Sequence, residues 1–401
     1  MATIIKSKYR VFWVLPLLFF GCVEPYEIKT ETFEDFLVVE ALLTNEVKFQ
    51  EILLSRTFPL EEVIPIAETN ANVSIIEDMG LEYKFNEVEP GKYISEVEFN
   101  ALPDREYTLS ITTNSGRKYS SKQEKLEQGD VVDFSLYTQS SVNSEGAEGV
   151  AIYYESTEPG NEDSRYFRFE YIETYKIVPP YWSDEYLRVN PNGTLTLLAK
   201  ENEDGKVCFG TTESNEIILR NASEFSENEI DPFLIKFNKR LNAKIQSRYS
   251  LLVRQHLISR EAYTYYETLK GFSESGSVFS ENQPGTVLGN IFSIDNLEET
   301  VIGYFEVAKT LEKRVFFSYT DYFPDSQLFL RPYFFTCNIM EPFIEANASQ
   351  PLTLAEMIEQ GLVIFHAENF IEGEPPYQVV VPKCGDCSTF ADIEVPDFWE
   401  E

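Results

Sequence analysis

Apolar and polar positions alternate in short runs through most of the chain. Tyr107-Thr-Leu-Ser-Ile-Thr112 switches at every residue, the period of a strand with one wet face. Phe36–Thr44, Glu51–Arg56, Ala71–Glu77, Leu81–Phe85, Lys92–Val97 and Arg117–Ser121 are runs of the same kind. Turn signals separate them at Asp78-Met-Gly80, Glu89-Pro-Gly91, Pro103-Asp104 and Asn114-Ser-Gly116. Seven short strands at this spacing predict an immunoglobulin-like β-sandwich over 36–125, without the intersheet cystine of that fold.

A charged break, Lys122–Gly129, marks the predicted end of that unit, and a larger β-rich domain is expected over 130–401. Its predicted strands include Tyr153-Tyr154, Arg165–Val178, Thr194–Leu198, Ile217–Leu219 and Lys244–Arg254. Gly303–Ala308, Arg314–Tyr319 and Leu328–Phe335 continue the series. One helix stands out. Ser259 can cap it, Glu261 lies in its first turn and Gly271 can end it, while Ala262, Tyr265, Tyr266 and Leu269 form an i, i+3, i+4, i+7 stripe. Packing of that stripe on a sheet is the expected role. A short turn at Asn296–Glu299 and a helix over Leu352–Gln360 are also predicted. The expected fold class is mainly β, a sandwich followed by a larger β-rich domain with one prominent helix.

The first residues read as an address. Lys6, Lys8 and Arg10 precede a ten-residue apolar run, Val11–Phe20. At about 1.5 Å per residue that run is half of a ~30 Å bilayer core, so it predicts a signal peptide over 1–21 and not a membrane span. Gly21-Cys22 follows at once and resembles the lipobox of bacterial lipoproteins, with Phe19 where the motif prefers Leu. The resemblance implies that the Cys22 thiol carries a diacylglycerol and that the new amine is acylated. Two or three chains at ~0.8 kcal/mol per buried CH₂ then give a lasting hold on a bilayer. Residues 22–35, polar, acidic and interrupted by Pro25, read as a tether, and Glu24 and Glu27 resemble the surface-export signals of Bacteroidota lipoproteins, a resemblance that implies a surface-facing outer-membrane address.

Charge excludes one class of partner. The 401 residues hold 33 Lys plus Arg against 67 Asp plus Glu, a net charge of −34, and cleavage after Gly21 removes three more cations. Nucleic acid needs the opposite sign. Apolar residues at 43% and aromatics at 14% are ample for folded cores.

Beyond Cys22, four cysteines remain: Cys208, Cys337, Cys384 and Cys387. In an exported chain an even number permits two disulfides with three possible pairings. Cys384-Gly-Asp-Cys387 can close a local ring, or each thiol can reach back to Cys208 or Cys337. Zinc on four thiolates and a redox-active CxxC are the rival readings, and structural bridging is the expectation. No metal and no cofactor are expected.

Little else suggests turnover. His256 and His366 are the only histidines. Gly271-Phe-Ser-Glu-Ser275-Gly matches a nucleophile elbow only loosely, since Ser275 stands where glycine is required. Asn202-Glu-Asp-Gly205 and Gly160-Asn-Glu-Asp163 offer oxygens to calcium but lack the full EF-hand spacing. In Ile177–Leu187 two prolines and a Ser-Asp pair predict a loop presenting Tyr181, Trp182 and Tyr186. Such rings suit stacking on a sugar or anchoring a protein partner, or else burial in the core.

Four ordered stretches carry a family resemblance. They are Leu37–Asn45 with Ile52–Arg56, Tyr249–Gln255 leading into Ser259–Tyr263 and Leu269-Lys270, Asn290-Ile291 with Val301–Phe305, and Cys384-Gly-Asp-Cys387 with Pro396-Asp-Phe-Trp399. With the lipobox they resemble the Bacteroidota outer-membrane lipoproteins grouped as domain of unknown function 4249. Membership implies no catalytic residues. It implies a setting beside TonB-dependent transporters, hence a non-enzymatic accessory or cargo-capture role. An independent surface binder of glycan or peptide, using the 177–187 loop, is the alternative, and a hydrolase the least favoured reading.

Overall fold

The computed structural model describes residues 35–58, 65–129, 133–156, 166–222, 232–274, 289–324 and 332–401. The leader, Cys22, all of the tether but Asp35, Gly160–Asp163 and Ser275 lie outside these residues.

The amino-terminal strands are β1 (Leu37–Thr44), β2 (Glu51–Arg56), β3 (Ile66–Ala67), β4 (Asn72–Glu77), β5 (Glu82–Glu89), β6 (Lys92–Ser95), β7 (Glu106–Thr112), β8 (Lys118–Ser121) and β9 (Glu124–Lys125). Next come β10 (Phe134–Val142), β11 (Glu148–Ser156), β12 (Tyr166–Ile177), β13 (Glu185–Val189), β14 (Leu195–Ala199), β15 (Cys208–Glu213), β16 (Ile218–Asn221), β17 (Phe233–Lys239) and β18 (Arg248–Leu257). Helix α1 (Arg260–Glu274) precedes β19 (Ile291–Ser293) and β20 (Val301–Ser318). Three short helices, α2 (Tyr319–Tyr322), α3 (Leu354–Glu359) and α4 (Pro382–Gly385), flank the hairpin β21 (Ile364–Glu368) and β22 (Tyr377–Val380).

One strand joins the two halves. The first half of β20 runs parallel to β1, from Leu37 opposite Val301 to Thr44 opposite Ala308. Its second half runs antiparallel to β18, from Leu257 opposite Lys309 to Arg248 opposite Ser318. The hydrogen-bonded order is therefore continuous, β15-β12-β18-β20-β1-β2-β6-β5-β4-β7-β8-β19. Two segments predicted as separate strands, 303–308 and 314–319, are one up to Ser318, and Tyr319 begins α2. The polar run Lys309–Lys313 between them keeps extended backbone because its ladder partner passes from β1 to β18.

The amino-terminal sandwich is accordingly not built from 36–125 alone. Phe305 and Val307 of β20 and Ile291 of β19 lie in the same core as Leu37, Ile75, Leu109 and Tyr119. A parallel partner for β1 must arrive by a long crossover, and here it comes from beyond residue 300. Asn290 closes the seam. Its amide accepts from Phe305 N at 2.8 Å and donates to Phe305 O at 2.9 Å, standing in for a strand neighbour.

A second core lies between the three-stranded sheet β10-β11-β17 and the inner faces of β12 and β18. Tyr154 and Phe169 meet there edge to face at 5.0 Å between ring centres. Odd-numbered side chains of β12, β18 and β20 fill the cores, and the opposite face needs separate cover. Helix α1 covers one end of it: Ala262 and Tyr265 pack against Ile258, Tyr304 and Ala308. Ser259 Oγ accepts from Ala262 N at 3.1 Å, but the helix runs past Gly271 to Glu274, so the expected stop is not used. The carboxyl-terminal Pro396-Asp-Phe-Trp399 covers the other end. Trp399 lies between Phe209 and Phe316 at 4.9 and 5.7 Å, and the Arg314 guanidinium sits 3.5 Å from the Phe398 ring centre.

A third, smaller core joins β13, α3, β21 and β22 through Leu187, Leu354, Val363, Phe365 and Val379. Thr353 caps α3 in a reciprocal pair with Glu356. The predicted strand over 328–335 lies partly outside the described residues. Pro332–Phe335 is irregular, and it sends Tyr333 and Phe334 against the second core.

Candidate functional site

The aromatic loop is the connection from β12 to β13, residues 178–184, with Tyr186 already on β13. Its three aromatic residues do not form one platform. Tyr181 N donates to Cys384 O at 3.1 Å, and the Tyr181 ring meets His366 edge to face at 4.9 Å. Trp182 donates from Nε1 to Asp204 O at 3.3 Å, while Lys200 Nζ and Lys206 Nζ lie 5.0 and 4.9 Å from its ring. The indole already holds two ammonium groups in cation–π contact. Burial lowers the pKa of Lys200, with Asp386 and Asp184 opposing it. Tyr186 is the exposed member.

A pair of disulfides fixes this loop from behind. Cys387 is bonded to Cys208 and Cys384 to Cys337. The two thiols of the CxxC thus go to different partners, and all four cysteines among the described residues are spent in disulfides. Cys387 N donates to Gly205 O at 3.1 Å, and a Cβ on Gly205 would stand 1.9 Å from Asp386 Oδ1. The 202–205 turn is therefore pressed against the cystine. Its Asn202 amide donates to Asp204 Oδ2 at 2.7 Å. Among the described residues no group of three or more His, Cys, Asp and Glu is placed to hold a metal.

A cluster of strongly perturbed groups lies elsewhere, beneath helix α1. Arg168 of β12 stands opposite His256 of β18, which stands opposite Thr310 of β20. Arg168 donates to both oxygens of Glu306, at 3.2 and 3.0 Å, and also to Glu170. The Tyr266 ring centre lies 5.0 Å from its guanidinium carbon. His256 Nδ1 is 2.9 Å from Thr310 Oγ1, and its Nε2 is 3.4 Å from Glu170 Oε2. Burial pushes the Glu170 carboxyl up, but Arg168 and then His256 outweigh it and hold it far below the usual carboxylate range. Burial, seconded by Glu306, keeps Tyr266 protonated well above its ordinary value.

This node clamps three strands and a helix, and the sequence reading does not assemble it. A signal was present: Arg168 and Glu170 share one face of β12, and Arg254 and His256 follow the apolar run Leu251–Val253 at alternate positions of β18. The loosely matched elbow fails on geometry, since Gly271–Glu274 is helical where a strand-to-helix turn is required.

A mainly β architecture, two cystines and a helix-capped ionic node define the class of protein. The chain belongs to the family of the domain of unknown function DUF4249, whose model matches residues 23–314. No curated protein matches it. Among solved structures, a DUF4785 family protein from Legionella pneumophila is similar at 9% identity, over 54% of this chain and 51% of that one, with a TM-score of 0.17. A mutant of Salmonella alpha-2-macroglobulin is similar at 6% identity, over 80% of this chain and 16% of that one, with a TM-score of 0.18. The chain thus spans about half the length of the first and a sixth of the second. Neither likeness is close enough to bear on function.

Proposed function

We propose that this chain is a lipid-anchored Bacteroidota envelope protein that works by contact, as an accessory or cargo-capture partner of a TonB-dependent outer-membrane transporter. The observation that carries the reading is Gly21-Cys22 placed directly after a ten-residue apolar run. Two cystines suit the oxidising compartment such an address implies. A non-enzymatic role is favoured because the two histidines are engaged, His256 between Thr310 and Glu170 and His366 against Tyr181.

Metabolic labelling with palmitate tests the anchor: label is expected on the native chain and lost in Cys22→Ser. An unlabelled native chain, freely soluble after lysis, rejects the anchor. Crosslinking in intact cells, followed by solubilisation of the outer membrane, tests the partner. Recovery of the labelled chain with no transporter rejects that part and leaves the anchor standing.

A further inference from the structure

Between Asn338 and Val381 the chain has seven glutamates and neither lysine nor arginine. The same stretch exposes large apolar side chains, among them Phe343, Ile344, Phe370 at 85% and Ile371 at 65%. Phe370 and Ile371 begin the β21–β22 turn. The far leg of that turn, Gly373–Pro376, lines a cleft of about 430 Å³ whose other wall is Phe343–Asn347. Glu345 and Glu374 are in the lining, which includes no basic residue.

Both walls are held in place. Gln350 pins the first, accepting from Phe343 N at 2.9 Å and donating to Phe343 O at 2.8 Å. Asn369 N donates to Pro376 O at 2.8 Å, and Glu374 N to Ile371 O at 3.2 Å, fixing the second. A preformed apolar cleft loses less freedom on binding than a loop that must first be ordered.

The charge decides what fits. A second copy would bring the same carboxylates face to face, and an anionic bilayer would be repelled by them. A protein segment with an apolar anchor between Lys or Arg residues fills the floor and neutralises the rim. We propose that the cleft and the Phe370–Ile371 tip form a docking surface for such a segment. The proposal stands whether or not Cys22 is acylated and whatever the partner's own function.

The test uses the mature chain and two sets of fluorescent synthetic peptides with identical Phe and Leu anchors, flanked by Lys and Arg in one set and by Glu in the other. Anisotropy should show the basic set binding at least about tenfold more tightly, and more weakly as salt rises. Ile371→Ser should weaken that binding about tenfold, and the pair Glu345→Lys, Glu374→Lys should reverse the preference. All three positions are on the surface, so circular dichroism should be unchanged. Absence of binding, equal binding of both sets, or indifference to Ile371→Ser overturns the proposal. So does a concentration-dependent dimer, or binding to phosphatidylcholine or phosphatidylglycerol vesicles, that disappears in Ile371→Ser.

Discussion

Arg168 and Glu306 meet as a two-point ion pair although 138 positions separate them, Nε on Oε2 at 3.2 Å and Nη2 on Oε1 at 3.0 Å. Both side chains are largely withdrawn from water, at 11% and 2% exposure. Glu306 lies on the half of β20 that pairs with β1, while Arg168 reaches it across the end of β18. The pair therefore ties the two halves of the continuous sheet. Removing Glu306 leaves the buried Arg168 with only the partly exposed Glu170 as its partner, so the cost is about 3 kcal/mol, the lower end for a broken buried pair. Glu306→Ala should lose that much in urea unfolding of the mature chain. The double variant Arg168→Met, Glu306→Leu should recover most of it. Equal losses in the single and double variants would show that the charge pairing is not what matters there.

Glu170 gives this node a pH dependence. Its folded pKa lies far below the ordinary 4.5. A depressed carboxylate contributes stability that is full above the unfolded value and lost as pH falls toward the folded one. Glu170 is more than a third exposed, so solvent screens part of the effect. Comparing unfolding of the wild type and Glu170→Gln isolates it from the other acids. The wild-type advantage should be steady from about pH 7 to 5 and shrink below about 4.5. A gap that widens with acid would contradict the assignment.

Why the strands were legible and the node was not follows from period. In β7 every second residue from Tyr107 to Ile111 is buried, so alternation alone gives the strand and its inner face. Arg168, Glu170 and Glu306 sit at the alternate positions that the same rule assigns to water. Arg168 and Glu306 are withdrawn because α1 lies over that face, a tertiary fact absent from the local pattern. The disulfide pairing is equally non-local: 179 positions separate Cys208 from Cys387. At Trp182 composition marked a loop aromatic, but Lys200 and Lys206 reach it only through the β13–β14 hairpin and the turn after it.

Gly303 should tolerate no side chain. Its φ is +141°, and a Cβ there would lie 2.1 Å from Val39 O on the paired strand β1. Backbone strain of this kind costs about 1–3 kcal/mol before the clash is counted. Gly303→Ala should lower the thermal midpoint by several degrees and Gly303→Val should abolish soluble expression. Gly116→Ala is the control, since φ there is +85° with nothing within 4 Å of the Cβ, leaving strain alone. If the two alanine variants melt together, the close approach of β1 and β20 does not limit this site.

The cystines make a further, unequal contribution. Each shortens the unfolded chain's loops, and the loop entropy lost grows with separation: about 5 kcal/mol for the 179-residue span and about 4 for the 47-residue span, as upper figures. The pair Cys208→Ser, Cys387→Ser should therefore destabilise more than Cys337→Ser, Cys384→Ser, measured without reductant. The pairing itself can be read chemically, because Asp386 lies between the two CxxC sulfurs. Trypsin leaves Cys384 and Cys387 on one peptide, and cleavage before Asp386 then separates them. Non-reduced digests should contain Cys384 linked to Cys337 and, apart from it, Cys387 linked to Cys208. A fragment holding Cys384 and Cys387 bonded to each other would mean that the 202–205 turn and β15 are not fastened to the carboxyl-terminal segment, and the geometry behind Trp182 would fall with it.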